Sequence, residues 1–198
     1  MVHGRGGSAE DILGLLGPLG LPDIAAIAPE APGNSWWPTS FLAPMAQMQP
    51  FVQDGLAVVR SAVSELEAEG LPRDKIWLAG FSQGACLVLE AFAREGTGLA
   101  GVFALSGGLV GTADDDGAPD PALYGHRPKR LDYDGRRDGA GAWLSVHERD
   151  PHIPLQRARD SAAALAAMGA HAELKVYPGA GHAVMREDLA AMRARLNG

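Results

Sequence analysis

The pentapeptide Gly80-Phe81-Ser82-Gln83-Gly84 places a hydroxyl between two glycines, at the point where an apolar run ends and a helical pattern begins. In that setting G-x-S-x-G describes a sharp strand-to-helix turn, which pushes the serine Oγ out at the C-terminal edge of a sheet. The flanking glycines suit a turn in which a Cβ would collide with neighbouring backbone. The helix N-terminus behind the serine offers free N–H groups and a positive dipole end to a developing oxyanion. The chemistry of such a residue is nucleophilic acyl transfer, which needs a base to take the hydroxyl proton and an acid to orient the base.

In hydrolases of this kind the chain order is serine, acid, histidine. Of the six histidines, His182 follows the last strand pattern in the glycine-rich turn "PGAGHAV" and is the candidate base. His147, at a strand end, and His152, within "DPHIPL", are its rivals. Asp150, in "VHERDPHIP", follows the preceding strand on the same edge and is the candidate acid. Glu148 is the neighbouring alternative, and a helix-capping role competes for Asp150 itself. Asp160 and Asp188 fall inside helical patterns and read as solvated.

A second oxyanion donor must come from another loop. "VHGRGGSAED" suits it, because Gly4, Gly6 and Gly7 let the backbone turn sharply and aim N–H groups inward. Neither G-x-x-x-x-G-K-[ST] nor G-x-G-x-x-G after a full strand is present, so a phosphate cradle is disfavoured. Cys86 lies one helical turn beyond Ser82 and reads as a small buried residue rather than a nucleophile. A metal hydrolase built from His147, Glu148 and His152 lacks the H-E-x-x-H spacing and an assigned third ligand, so no metal or cofactor is expected.

The elements that must position these residues alternate along the chain. Strands are expected at 23–28, 75–81, 99–105, 142–147 and 172–177, the last ended by Pro178-Gly179. Helices are expected at 51–69, 83–94, 155–168 and 185–196. Strands alternating with helices imply crossovers and a mostly parallel sheet, so the class is α/β in a single domain. Residues 111–141, rich in Gly, Pro, Asp and Arg, read as a long surface excursion that could overhang a site. The segment 29–50 holds "SWWPTSF", and two adjacent tryptophans in a loop must line something, either the core or a ligand pocket.

At 198 residues, 46% hydrophobic and 21% charged, the chain can bury a sizeable core. A net charge of −7 argues against a nucleic-acid partner or attraction to an anionic membrane. One cysteine excludes an internal disulfide and fits a reducing compartment. With no leader pattern and no membrane-length apolar run, a cytoplasmic location is expected.

Taken in order, "HGRGGSAED", "APGNSWWPTSF", "LAGFSQGACL", "ALSGGL", "DPHIPL" and "YPGAGH" resemble the phospholipase/carboxylesterase family of α/β-hydrolases, which includes the acyl-protein thioesterases. The resemblance spans nearly the whole chain outside 111–141. It implies an α/β-hydrolase fold with Ser82 as nucleophile, His182 as general base and Asp150 as its orienter. It also implies an oxyanion hole made by the backbone N–H groups of Arg5 and Gln83, with Trp36, Trp37 and Phe41 near the substrate pocket. Family members carry complete strands before the His-Gly loop, whereas only Met1 and Val2 precede it here. Shortened or absent first strands are therefore expected, with a sheet edge open to pairing in a homodimer. Arg5 stands where the thioesterases tend to carry an apolar residue, so its side chain either meets a polar substrate group or points to solvent. The function implied is hydrolysis of small carboxylic esters through an acyl-enzyme. Lysophospholipid or thioester cleavage by the same triad, or a binding protein on a hydrolase fold, are the alternatives.

Overall fold

The computed structural model describes residues 1–197. In chain order its elements are helices α1 (Ala9–Leu13), α2 (Leu16–Leu19) and α3 (Met45–Ala68), strand β1 (Trp77–Phe81), helix α4 (Gln83–Glu95) and strand β2 (Gly101–Leu105). The two-residue strands β3 (Ala113–Asp114) and β4 (Lys129–Arg130) follow, then β5 (Gly141–Arg149), α5 (Leu155–Ala167), β6 (His171–Ala180) and α6 (Arg186–Leu196). The central sheet has the order β1-β2-β5-β6. Every pairing in it is parallel, so the expected mostly parallel sheet is wholly so.

The strands alternate as buried strands between two helical layers must. Leu78, Val102, Ala104, Ala142, Leu144 and Val146 join the main core, which α3, α4 and α5 cover. Ala79, Phe103 and Leu105 turn the other way, against Leu19 and Met192 from α2 and α6. Helix α3 approaches α4 closely at Gly55, where an added Cβ would stand 2.7 Å from a Leu87 methyl. The whole stretch 83–93 of α4 is buried.

Beyond β1 the sheet continues by one residue. Val2 bridges Gly80 in parallel, donating its N–H to the Ala79 carbonyl at 2.8 Å and accepting from the Phe81 N–H at 3.2 Å. This single bridge stands where the resemblance leads one to expect the shortened first strands.

Three expectations are corrected. Residues 23–28 form no strand; the backbone bond that holds this stretch is the Met1 ammonium on the Ile27 carbonyl, at 2.6 Å. Helix α3 starts six residues earlier than its stripe suggests and contains Pro50. Pro50 stands in the second turn and has no N–H for the carbonyl four residues back, and the carboxylate of Asp114 caps the helix start by accepting from the Met45 N–H. Strand β6 runs through Pro178, as an edge strand can.

The excursion at 111–141 carries the small β3–β4 ribbon and is tied to the body. The buried carboxylate of Glu90, on α4, accepts from the N–H groups of Val110 and Gly111, from the Tyr133 hydroxyl and from the Arg94 guanidinium. Three donors from the two ends of the segment thus converge on one side chain, joined by Arg94 from the same helix.

Candidate active site

Ser82 sits between β1 and α4 with φ 54° and ψ −119°, a conformation that L-residues avoid. Two backbone bonds hold it there: its N–H donates to the Leu105 carbonyl at 2.9 Å, and its carbonyl accepts from the Cys86 N–H at 3.1 Å. The turn is tight enough to require both glycines. A Cβ on Gly80 would stand 2.8 Å from the Ala85 nitrogen, and one on Gly84 2.6 Å from the Val2 carbonyl carbon. The first helical turn thus lies directly against the N-terminal bridge.

Loops after β5 and β6 bring the other two residues to the same edge. His182 Nε2 lies 2.8 Å from Ser82 Oγ, and His182 Nδ1 lies 2.8 Å from Asp150 Oδ2. Asp150 is fully buried and its second oxygen accepts from the N–H groups of His152, at 2.8 Å, and Ile153, at 3.0 Å. Burial opposes its charge, but the bond from His182 and the two amides outweigh burial and hold the carboxyl below its ordinary range. Both lone-pair sets of the carboxylate are therefore committed, which fixes the imidazole as an Nδ1–H donor to Asp150 with Nε2 turned to the serine. Phe81 packs on the His182 ring at 5.0 Å between centroids, and His152 meets it edge-on at 4.8 Å.

The loop carrying Arg5 reaches Ser82 through Gly4, whose added Cβ would be 3.3 Å from the Ser82 Cβ. Among the described residues nothing accepts from the main-chain N–H of Arg5 or of Gln83. Their neighbours are fastened: Gly6 N–H donates to the Asn34 carbonyl at 2.7 Å and Gly7 N–H to the Gly4 carbonyl at 3.1 Å. The Arg5 guanidinium folds back onto the carbonyls of Pro38 and Thr39, so it locks its own loop to the next one. Buried His3 donates from Nδ1 to the Gly4 carbonyl and accepts at Nε2 from the Ala31 N–H, at 3.0 Å.

Gln83 has a second task that the sequence reading missed. Its side chain accepts from the Trp36 N–H and donates to the Trp37 carbonyl, both at 2.8 Å, clamping the tryptophan loop to the turn that bears Ser82. The two tryptophans, left open between core and pocket, are core: Trp37 is 2% exposed and the Trp36 indole donates to the His3 carbonyl at 2.9 Å. Phe41 is buried beside Gly108 and, through its carbonyl, beside Lys129. As pocket walls, Trp36 and Trp37 are thus corrected, since their rings are spent on packing.

The rivals have other partners. His147 packs against Tyr177 and Gly181. Glu148 accepts from the Gly179 N–H at 3.1 Å, and Asp160 accepts from the Gln156 side chain. Asp188 overturns its solvated reading. It is fully buried and accepts from the Trp143 indole, the Tyr177 hydroxyl and the Met185 N–H, anchoring the helix that follows the His182 turn. Burial pushes the Cys86 thiol up to about 12, far from a usable thiolate. A cavity of about 910 Å³ lies along the outer edge of β1, lined by residues such as Ile24, Val63 and Trp77; it contains none of Ser82, Asp150 or His182.

The sequence profile of the phospholipase/carboxylesterase family matches residues 20–116. The crystal structure of a phospholipase/carboxylesterase from Dyadobacter fermentans is similar at 36% identity, with a TM-score of 0.86, over 100% of this chain and 88% of that one. Esterase PE8 shares the fold at 24% identity and a TM-score of 0.73, over 99% of this chain and 89% of that one. Acyl-protein thioesterase 1 of Kluyveromyces lactis is 28% identical over 56% of this chain, and that of Gibberella zeae 28% identical over 64%. Those matches span 42% and 49% of the two thioesterases, so the chain aligns with less than half of each. The chain belongs to the phospholipase/carboxylesterase family and has its α/β-hydrolase fold. Among the described residues no helix is long and apolar enough to cross a membrane.

Proposed function

We propose that the protein is a serine hydrolase that cleaves carboxylic esters through a covalent acyl-enzyme, with Ser82, His182 and Asp150 as its triad. The observation that carries this reading is the unbroken run of two 2.8 Å contacts from Ser82 Oγ through the imidazole to a buried carboxylate. Ser82 Oγ attacks the ester carbonyl while its proton passes to His182 Nε2, and the carbonyl electrons move onto oxygen. The oxyanion is received by the unshared N–H groups of Arg5 and Gln83, which stand fixed before the charge develops. The tetrahedral adduct collapses, the bond to the alcohol oxygen breaks, and the alcohol leaves with the proton held by His182. Water then repeats the sequence: His182 takes its proton, its oxygen adds to the acyl carbon, and Ser82 recovers its proton as the acid departs. Asp150 stabilises the transient imidazolium without itself taking the proton.

The test is labelling by a fluorophosphonate together with hydrolysis of p-nitrophenyl butyrate. The wild type should be labelled at Ser82 and should turn the ester over, and Ser82→Ala should do neither. A folded, unlabelled wild-type protein would instead indicate a binding protein on a hydrolase fold. Thioester cleavage is a second reading, favoured by the two relatives named acyl-protein thioesterase 1. Comparing kcat/KM for matched oxygen and sulfur esters of butyrate decides between them.

A further inference from the structure

Two arginines lie buried in this protein, and they are treated differently. Arg137 gives its Nε and Nη2 to the carbonyls of Phe92 and Ala93, at 2.6 and 2.7 Å, and its Nη1 to Thr97 Oγ1 and the Arg136 carbonyl. Its cost of burial is offset by hydrogen bonds, as a structural guanidinium requires. Arg157, in the first turn of α5, is 1% exposed, yet its Nε and Nη2 are sealed from solvent with no partner among the described residues. These two nitrogens form the side-on fork of a guanidinium, the edge that receives a carboxylate bidentately. Arg60 offers the same pair to the Glu95 carboxylate, at 3.0 and 2.6 Å.

A second cation lies close by. Lys129 is buried and its Nζ meets only neutral acceptors, the Phe41 carbonyl at 3.2 Å and the Met45 sulfur at 3.5 Å. No carboxylate of the described residues pairs with either cation. The nearby acids are already engaged: Glu90 by four donors, Asp160 by Gln156, and Asp114 by the N–H of Met45. Burial and then the charge of Arg157 bring the Lys129 ammonium down to about 8, against the pull of Asp114 and Glu90, so the pair is enclosed with no carboxylate in direct contact.

The place of Arg157 links it to the nucleophile. Its stem runs beside Gly108, where an added Cβ would lie 2.8 Å from the Arg157 Cγ and 3.5 Å from the Phe41 ring. Gly108 in turn donates to Cys86 Sγ at 3.5 Å, and the N–H of Cys86 donates to the carbonyl of Ser82. Helix α5 itself begins five residues after Asp150.

We infer that the Nε/Nη2 edge of Arg157, assisted by Lys129, binds a carboxylate on the acyl part of the substrate, so that the preferred substrates are half-esters of dicarboxylic acids. This rests on the esterase reading above and names its substrate class. The acyl part is the one assigned because it stays on Ser82 through both steps, whereas the alcohol must escape after the first. An enclosed anchor serves the group that remains.

The experiment compares kcat/KM for p-nitrophenyl hemiglutarate and p-nitrophenyl valerate, which differ chiefly in the terminal carboxylate. The wild type should favour the hemiglutarate by about tenfold or more, the scale of a charge-assisted hydrogen bond. Arg157→Met should abolish the preference, Arg157→Gln should do the same if the Met variant misfolds, and Lys129→Met should reduce it. Binding is read independently by the shift in Tm that glutarate produces in the Ser82→Ala variant, expected to be positive and to vanish when Arg157→Met is added. A wild type that cleaves both esters without preference overturns the inference and leaves the esterase reading standing. Failure to cleave either ester, with the glutarate shift intact, overturns the esterase reading alone. Absence of the shift, or its survival in Arg157→Met, overturns the carboxylate site.

Discussion

His182 Nε2 lies 2.8 Å from Ser82 Oγ although a hundred residues separate the two in the chain. Ser82 is held by a strand-to-helix turn and His182 by a loop after the opposite edge strand, so the contact reports the closure of the whole sheet. Removing the hydroxyl should lower kcat for p-nitrophenyl butyrate by about four to six orders of magnitude in Ser82→Ala. Hydrolysis within tenfold of the wild type would remove Ser82 from the mechanism.

The same serine holds a backbone conformation that glycine adopts freely. Ser82→Gly should therefore unfold at higher denaturant concentration than Ser82→Ala, by about 1–2 kcal/mol, although both are inactive. Equal midpoints would mean that the turn stores no strain.

Asp150 gives the pH dependence. Its carboxyl titrates below the ordinary value in the folded protein because His182 and two amides favour the anion over the opposition of burial. An unfolded carboxyl titrates near ~3.9, so the stability supplied by ionised Asp150 is fully present above that pH. It is lost as pH falls through the lower folded value. Urea midpoints measured from pH 6 downward should fall less steeply for Asp150→Asn than for the wild type. At neutral pH that variant should lose about 10⁴-fold in kcat, because the amide cannot hold the imidazole in the required tautomer.

Gly84 meets the backbone of Val2 and His3 with no room for a methyl group. Gly84→Ala should cost about 3 kcal/mol, the upper range of overpacking, by pushing the N-terminal bridge off β1. Because the same segment leads to Arg5, esterase activity should fall with it. Wild-type activity at an unchanged midpoint would show that the segment can shift freely.

Glu90 is the remaining test. Replacing it by Gln leaves the geometry but removes the charge that Arg94 faces, and should cost about 2–3 kcal/mol. The excursion should then be cut faster by trypsin, after Lys129 or Arg130, at native conditions. Unaltered cleavage would mean that residues 111–141 are held by other contacts.

The alternating pattern of the fold was legible because β1 and β2 are short apolar runs buried on both faces and α3 carries a clear apolar stripe. The three candidate catalytic residues stood out for a related reason: they lie on loops immediately after strands. What escaped was polar and internal. Asp188 looks solvated from its helical neighbours, yet its role comes from Trp143 on β5 and Tyr177 on β6. The span 23–28 has a strand's composition but no ladder to join. Pro50 hid the true start of α3, because the carboxylate that caps this helix comes from Asp114, far along the chain. The Gln83 clamp and the unpaired Arg157 fork are likewise properties of assembled space, with no periodicity to announce them.

The convergence of backbone and side-chain donors on Glu90 also decides how freely residues 111–141 can move. A segment stapled from both flanks to the nucleophile helix behaves as masonry, not as a flap, and Tyr124 mortars its far side to the Asp150 carbonyl. The segment therefore keeps a fixed relation to the helix behind Ser82 and to the loop that carries Asp150. Loosening that segment would loosen the loop that holds Asp150 with it.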